Sequence, residues 1–232
     1  MRTLAVIPAR GGSERIPGKN IRSFCGKPMI SYIIGAALGE FDDVVVSTDS
    51  RIIKAVAESY GASVPFVRPA GLAGSQIGMC PVVYHAMEEM TKIRGEYTHV
   101  GLLYACAPMV ESEDLRRAIL LCQQNDCATL AVSKYTTPVD HRLYINAEGF
   151  VVPNSVKAMQ MRTQDLPEAY FDAAQFSVYP IRVLRERKSL DWAFSAKMVP
   201  YILPSYKAVD IDTEEDWVRA ELAYAAYKGE TK

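Results

Sequence analysis

Apolar and polar positions follow two rhythms along the chain. "LAVIP" (residues 4–8) and the valines of "DDVVVSTD" are unbroken apolar runs, as expected of strands covered on both faces. Each precedes a segment with helical spacing. "PMISYIIGAALG" starts at Pro28, where a missing N–H costs nothing. "SRIIKAVAESYGA" has Ser50 as its predicted N-cap and Gly61 as its stop. A helix in "MCPVVYHAMEEMTK", a strand in "HVGLLYACAP", a helix in "SEDLRRAILLCQQN" with Ser112 as N-cap, and a buried strand in "CATLAVSKY" follow. This βαβα order predicts a parallel sheet with helices on both faces.

The rhythm changes after Tyr135. Residues 137–170 are turn-rich, and "YINAEGFVV" reads as a hairpin with Gly149 in its turn, so this segment is expected to be an insertion off the main sheet. Strand character returns in "AAQFSVYPI" and "KMVPYILP". "AVDIDTEEDWVRAELAYAAYK" reads as a short strand followed by an amphipathic helix, with Thr213 and Asp216 spaced for a capping box. The expectation is one domain over residues 1–232.

Composition changes this picture little. Of 232 residues, 49% are hydrophobic and 23% charged, enough apolar material for a packed core. A net charge of −1 gives no global attraction to nucleic acid or an anionic membrane, so any anion must be bound locally. No signal-peptide order opens the chain, and no apolar run approaches the ~20 residues that span a bilayer. Cys25, Cys80, Cys106, Cys122 and Cys127 form no CxxC pair and read as reduced thiols of a cytoplasmic protein.

The loop after the first strand, "PARGGSERIPGKN", carries the first candidate chemistry. In a parallel α/β sheet, ligands bind beyond the carboxyl ends of the strands. Gly11 and Gly12 would let backbone N–H groups approach an anion, Ser13 adds a hydroxyl donor, and Arg10, Arg15 and Lys19 add charge. This set suits a polyphosphate, although the loop is neither GxGxxG nor a Walker sequence. A solvated basic turn would explain the cations but not the paired glycines. In "VDIDTEED", Asp210 and Asp212 stand at i and i+2 on a predicted strand and so share a face. Two such carboxylates suit a hard divalent cation such as Mg²⁺. An acidic helix start is the other reading, and it explains Glu214, Glu215 and Asp216 better than Asp210.

With these residues in view, "AVIPARGGSERIPGKNI" closely resembles the opening signature of the sugar-activating cytidylyltransferases, which join CTP to an acidic sugar and release pyrophosphate. The resemblance continues through "GKPMISYII", "VVVSTDS", "VPFVRPAGLA", "MRTQDLPEAYFDAAQF" and "DIDTEEDW" and covers essentially the whole chain. "LLYACAPMV" and "DAAQF" look most like the branch that activates pseudaminic acid; the sialic acid and Kdo branches are the alternatives. The resemblance implies a Rossmann-like α/β fold with a mostly parallel central sheet, and a homodimer made through an arm at 137–170. It implies that Arg10, Gly11, Gly12, Ser13, Arg15, Lys19 and Asn20 hold the CTP phosphates, with Lys19, Arg10 and Arg15 catalytic. Arg68 resembles the arginine that helps hold the nucleotide, and Asp210 and Asp212 the metal-binding pair. Tyr104, Arg162, Gln164, Asp172 and Gln175 fall where the sugar pocket should be, Arg162 being a candidate to serve the partner's site.

Two stretches depart from the family's pattern. "GSQIGMC" follows "RPAGLA", placing Met79 where a hydroxyl would meet the base, and "SVYPIRV" replaces an aromatic-glycine run. Both bear on the acceptor more than on the reaction class. They also motivate a rival of another class, a nucleotide-binding regulatory protein without turnover. His85, His99 and His141 sit in apolar or turn contexts and are expected to be structural, which leaves the proton acceptor unassigned.

Overall fold

A computed structural model describes residues 2–186 and 197–229. The described residues form ten strands and seven α-helices. The central sheet has six strands in the order β10-β6-β9-β5-β1-β4: β1 (Thr3–Pro8), β4 (Asp43–Ser47), β5 (His99–Leu103), β6 (Ala128–Lys134), β9 (Tyr170–Pro180) and β10 (Met198–Leu203). β1 pairs in parallel with β4 and β5, and β10 with β6, while β9 runs antiparallel between β5 and β6. The sheet is therefore mostly parallel, as the βαβα order predicts, with one inverted strand.

The first strand shows why the apolar runs are unbroken. Ala5 and Ile7 enter a core with α1 (Met29–Ala37), α2 (Arg51–Ser59) and α4 (Ser112–Asn125); Leu4 and Val6 enter another with α3 (Met79–Arg94) and α6 (Ile181–Glu186). Period-two alternation thus feeds two buried faces. Gly101, on β5, leaves room for the Phe41 ring: a Cβ there would lie 2.7 Å from Phe41 Cζ. Gly101→Ala should therefore lower stability by about 1–3 kcal/mol, the usual range for overpacking. A thermal or denaturant melt checks this, and an unchanged midpoint would contradict the packing.

The predicted caps are met with one correction. Ser50 Oγ accepts from Ile53 N, and Thr213 and Asp216 form the capping box of α7 (Glu214–Lys228). α4 is instead capped by Glu111 in a box with Asp114, and Ser112 Oγ donates to Ala36 O 3.0 Å away. A second correction concerns 208–212, which form no strand. The segment runs irregularly into α7, held by the burial of Ile211 with Ile16, Phe24, Met29, Trp217 and Ala220.

Residues 137–169 lie outside the six-stranded sheet, and Tyr170 already opens β9. β7 (Leu143–Ile145) and β8 (Val151–Pro153) pair with each other, and the short α5 (Val156–Met159) follows. β2 (Ser23–Phe24) and β3 (Lys27–Pro28) form a small ribbon ahead of α1. Among the described residues, no disulfide joins the five cysteines and no helix is long and apolar enough to cross a membrane.

Candidate active site

The connection leaving β1 runs to β4 on one side and that leaving β5 runs to β6 on the other, so a crevice opens at the carboxyl ends of these two neighbouring strands. A cavity of about 330 Å³ fills that crevice. Pro8 and Arg10 from the end of β1, Tyr104, Ala105 and Cys106 from the end of β5, and Asp210 and Asp212 all line it. Ser13, Arg15, Lys19, Asn20 and Arg68 line it too. Of the expected site residues, nine therefore meet in one place.

The loop after β1 is shaped by its own contacts. Gly18 takes a left-handed φ of 64°, and the chain then turns through residues 19–21, where Ile21 N and Arg22 N each donate to Gly18 O at 2.9 Å. Buried Ile16 and Phe24 anchor the loop's two ends against Trp217 of α7. Arg22 stacks over Trp217, 4.4 Å from the ring centroid, and pairs with Glu214 at 2.6 Å. Asn20 is buried and donates to Arg10 O at 3.1 Å. These contacts bring residues nearly two hundred positions apart to one wall.

Opposite charges meet across that wall. Arg15 Nη2 lies 2.8 Å from Asp212 Oδ1; Lys19 Nζ is 3.3 Å from the same oxygen and donates to Ile211 O at 2.5 Å. Asp210 makes no salt bridge among the described residues. Its carboxyl pKa is pushed up, first by burial and then by the charge of Asp212. Two carboxylates with hard oxygen donors, one of them without a salt bridge, fit Mg²⁺. Among the described residues no third His, Cys, Asp or Glu joins them, so other ligands would come from substrate phosphate and water.

Arg68 is the least solvated cation of the cavity, with 4% of its surface exposed. Its side chain donates to Ser47 Oγ at 3.2 Å and to the Ser47 carbonyl. Burial lowers its pKa to about 10, while Asp49 opposes the shift, so the group stays charged at neutral pH. A buried guanidinium held by neutral acceptors is an anion site in waiting. Tyr104 has its phenol pKa raised to about 12 by burial and then by Asp172 and Asp210.

The remaining expected residues lie elsewhere. Gly11 N donates to Asp49 Oδ1 at 2.8 Å, and a Cβ at Gly11 would stand 3.2 Å from Ser50 Cβ. The smallness of Gly11 thus serves close packing and a carboxylate contact, not the open amide that the sequence suggests. Gly12 is exposed and does not line the cavity. The exposed Asp172 and the buried Gln175 do not line the cavity, although Ala174 between them does. Arg162 and Gln164 are exposed on the arm, where Arg162 pairs with Asp165 at 2.7 Å, and neither reaches the cavity of its own chain. None of the three histidines lines it.

Cys106, Glu14 and Ala174 are among the wall residues that a reading of the sequence does not single out as candidates. Cys106 sits between Asn20 and the acidic pair, its thiol pKa pushed up to about 12 by burial. Glu14 and Ala174 also line the cavity. Met79 does as well, so this departure from the family's pattern does lie in the site.

Comparison with known proteins follows from this geometry. A family model described as "Cytidylyltransferase" matches residues 4–228. The chain is 38% identical over 227 residues to a pseudaminic acid cytidylyltransferase of Campylobacter jejuni subsp. jejuni serotype O:2, covering 97% of each protein. It is 32% identical over 225 residues to a CMP-N,N'-diacetyllegionaminic acid synthase of Legionella pneumophila subsp. pneumophila, covering 95% of each. Among solved structures, a CMP:2-keto-3-deoxy-manno-octonic acid synthetase complexed with CTP shares the fold, with a TM-score of 0.67 at 16% identity, over 98% of this chain and 100% of that one.

Proposed function

The chain belongs to the cytidylyltransferase family, and from that premise we propose that it transfers CMP from CTP to an acidic nine-carbon sugar, with pseudaminic acid as the acceptor, releasing pyrophosphate. The observation that carries this reading is the meeting of Arg10, Arg15, Lys19 and Arg68 with Asp210 and Asp212 around one cavity. Cations on one wall suit a triphosphate, and an acidic pair beside them suits its metal.

The chemistry is in-line attack of the sugar's anomeric hydroxyl on the α-phosphorus, with pyrophosphate as the leaving group. Little covalent work falls to the protein, so positioning and charge dominate. Arg10, Arg15 and Lys19 stabilise charge as it builds on the departing pyrophosphate. Ser13 and Asn20 shape the phosphate loop, with Gly11 fixing its approach to Asp49, and Arg68 holds the nucleotide from within the wall. Asp210 and Asp212 would hold Mg²⁺, which supplies Lewis-acid stabilisation of the phosphate oxygens. Tyr104, just past β5, would meet the acceptor, while Asp172 and Gln175 on β9, which do not line the cavity, would hold Ala174 beside it.

The arm at 137–170 supports a homodimer. Ile145 and Phe150 are 76% and 67% exposed on a two-stranded hairpin outside the main sheet. Such a hairpin is marginal alone in water, and a second copy covering it would supply the missing burial. In such a dimer Arg162, which does not reach the cavity of its own chain, would be available to the neighbour's site. The double variant Ile145→Asp, Phe150→Asp should run as a monomer in light scattering after gel filtration; an unchanged dimer would contradict the arm's role. The scattered thiols, without a disulfide, support a cytoplasmic setting.

Pyrophosphate release with CTP, Mg²⁺ and a panel of acidic sugars tests the reading. Release with pseudaminic acid is expected. Release with sialic acid or Kdo alone would move the acceptor to another branch, and CTP binding with no release for any sugar would make the protein a nucleotide-binding regulator.

A further inference from the structure

Among the described residues, three non-glycine positions have positive φ: Cys25, Asp126 and Ala174. Two of these are ordinary. Cys25 turns with Gly26 between β2 and β3, and Asp126 is the left-handed C-cap of α4. Ala174 is different: it sits inside a strand, at φ +49°, and lines the cavity. Left-handed backbone is costly for a residue with a Cβ, and such outliers collect at binding sites.

The strand is built to hold this conformation. β9 pairs with β6 at Ser177↔Leu130 and again at Asp172↔Val132, so five steps on β9 face two on β6, and the extra residues bulge. Asp172 Oδ1 accepts from Ala174 N at 2.9 Å and braces the bulge from below. Gln175 Nε2 donates to Ala173 O at 2.9 Å and to Val209 O at 3.3 Å, tying the bulge to the segment that carries Asp210. Gln175 O accepts from Tyr104 N at 2.9 Å, fixing it to the end of β5. Buried Gln175 Oε1 has no hydrogen-bond partner among the described residues, a second uncompensated feature at the same place.

We propose that Ala174 is a specificity-determining residue for the acceptor, its methyl group limiting the room for the sugar where the bulge of β9 meets Tyr104 and Asp172. The inference rests on the cytidylyltransferase reading above. Glycine would adopt the same φ without strain and would remove the methyl group. Alanine at this position therefore costs stability and narrows the site.

The test compares wild type with Ala174→Gly and Ala174→Ser, using CTP, Mg²⁺ and two nine-carbon 2-keto acids that differ only in the size of an N-acyl group. Ala174→Gly should raise kcat/KM for the bulkier acid relative to the smaller by about tenfold, as one carbon in a fitted pocket commonly does. KM for CTP should stay unchanged, and the melting temperature should rise as the strain is relieved. Ala174→Ser, which keeps the Cβ and adds bulk, should move the ratio the other way. Turnover by wild type with the same ratio in all three proteins would overturn this inference alone. Absence of pyrophosphate release by wild type with every acid would overturn the cytidylyltransferase reading and this inference with it.

Discussion

Lys19→Ala should lower kcat for pyrophosphate release by about 10²–10³-fold, the cost of losing one preorganised charge-stabilising donor. Lys19 Nζ is held in place before substrate arrives, by Ile211 O at 2.5 Å and Asp212 Oδ1 at 3.3 Å. No reorganisation is then needed as charge builds on the leaving group, and the loss should fall on kcat more than on KM for CTP. The fold should persist, because the loop is anchored by Ile16, Phe24 and Trp217 and not by this lysine. Lys19→Arg should restore only part of the rate, since a planar fork does not fit where one point charge serves two acceptors. A kcat for Lys19→Ala close to wild type would show that the leaving phosphates are neutralised elsewhere.

Asp210→Asn should have an effect of similar size on turnover, about 10²–10³-fold, from the several kcal/mol that a Lewis acid contributes to such a transition state. Its effect on stability should be opposite in sign. The Asp210 carboxylate is destabilised by burial and by Asp212, and it makes no salt bridge among the described residues. Removing that charge should leave the melting temperature, measured without CTP or metal, at or above that of wild type. Loss of activity together with undiminished stability is the signature of a residue kept for chemistry. Near-normal kcat at saturating Mg²⁺ would remove Asp210 from the metal site. A lower melting temperature would show that its carboxylate is compensated in the fold.

Much of this arrangement is legible in the sequence, for identifiable reasons. The apolar runs at β1 and β4 announce burial on both faces, and Ser50 and Thr213 are placed for caps that the structure forms. The basic loop and Asp210 with Asp212 can be paired before any coordinates exist, because each is incomplete chemically without the other. Long-range geometry is less legible. Nothing local marks β9 as the inverted strand, since an apolar run carries no direction. The segment holding Asp210 reads as a strand because alternation there mimics one, yet Ile211 is buried by helix and loop contacts without a pairing partner. Gly11 reads as an open phosphate amide, while its N–H is taken by Asp49, thirty-eight positions away. Ala174 falls within "DAAQF", but nothing there marks its conformation, because alanine is an ordinary residue in a strand and only the backbone shows its left-handed φ.

The central claim is that one triphosphate lies between the cationic loop after β1 and the acidic pair ahead of α7. A crystal structure of the protein with CTP and Mg²⁺ tests it most directly. Phosphate density is expected against Arg10, Arg15 and Lys19, with the metal bound by Asp210 and Asp212. CTP bound at another place, with both groups of side chains empty, would contradict it.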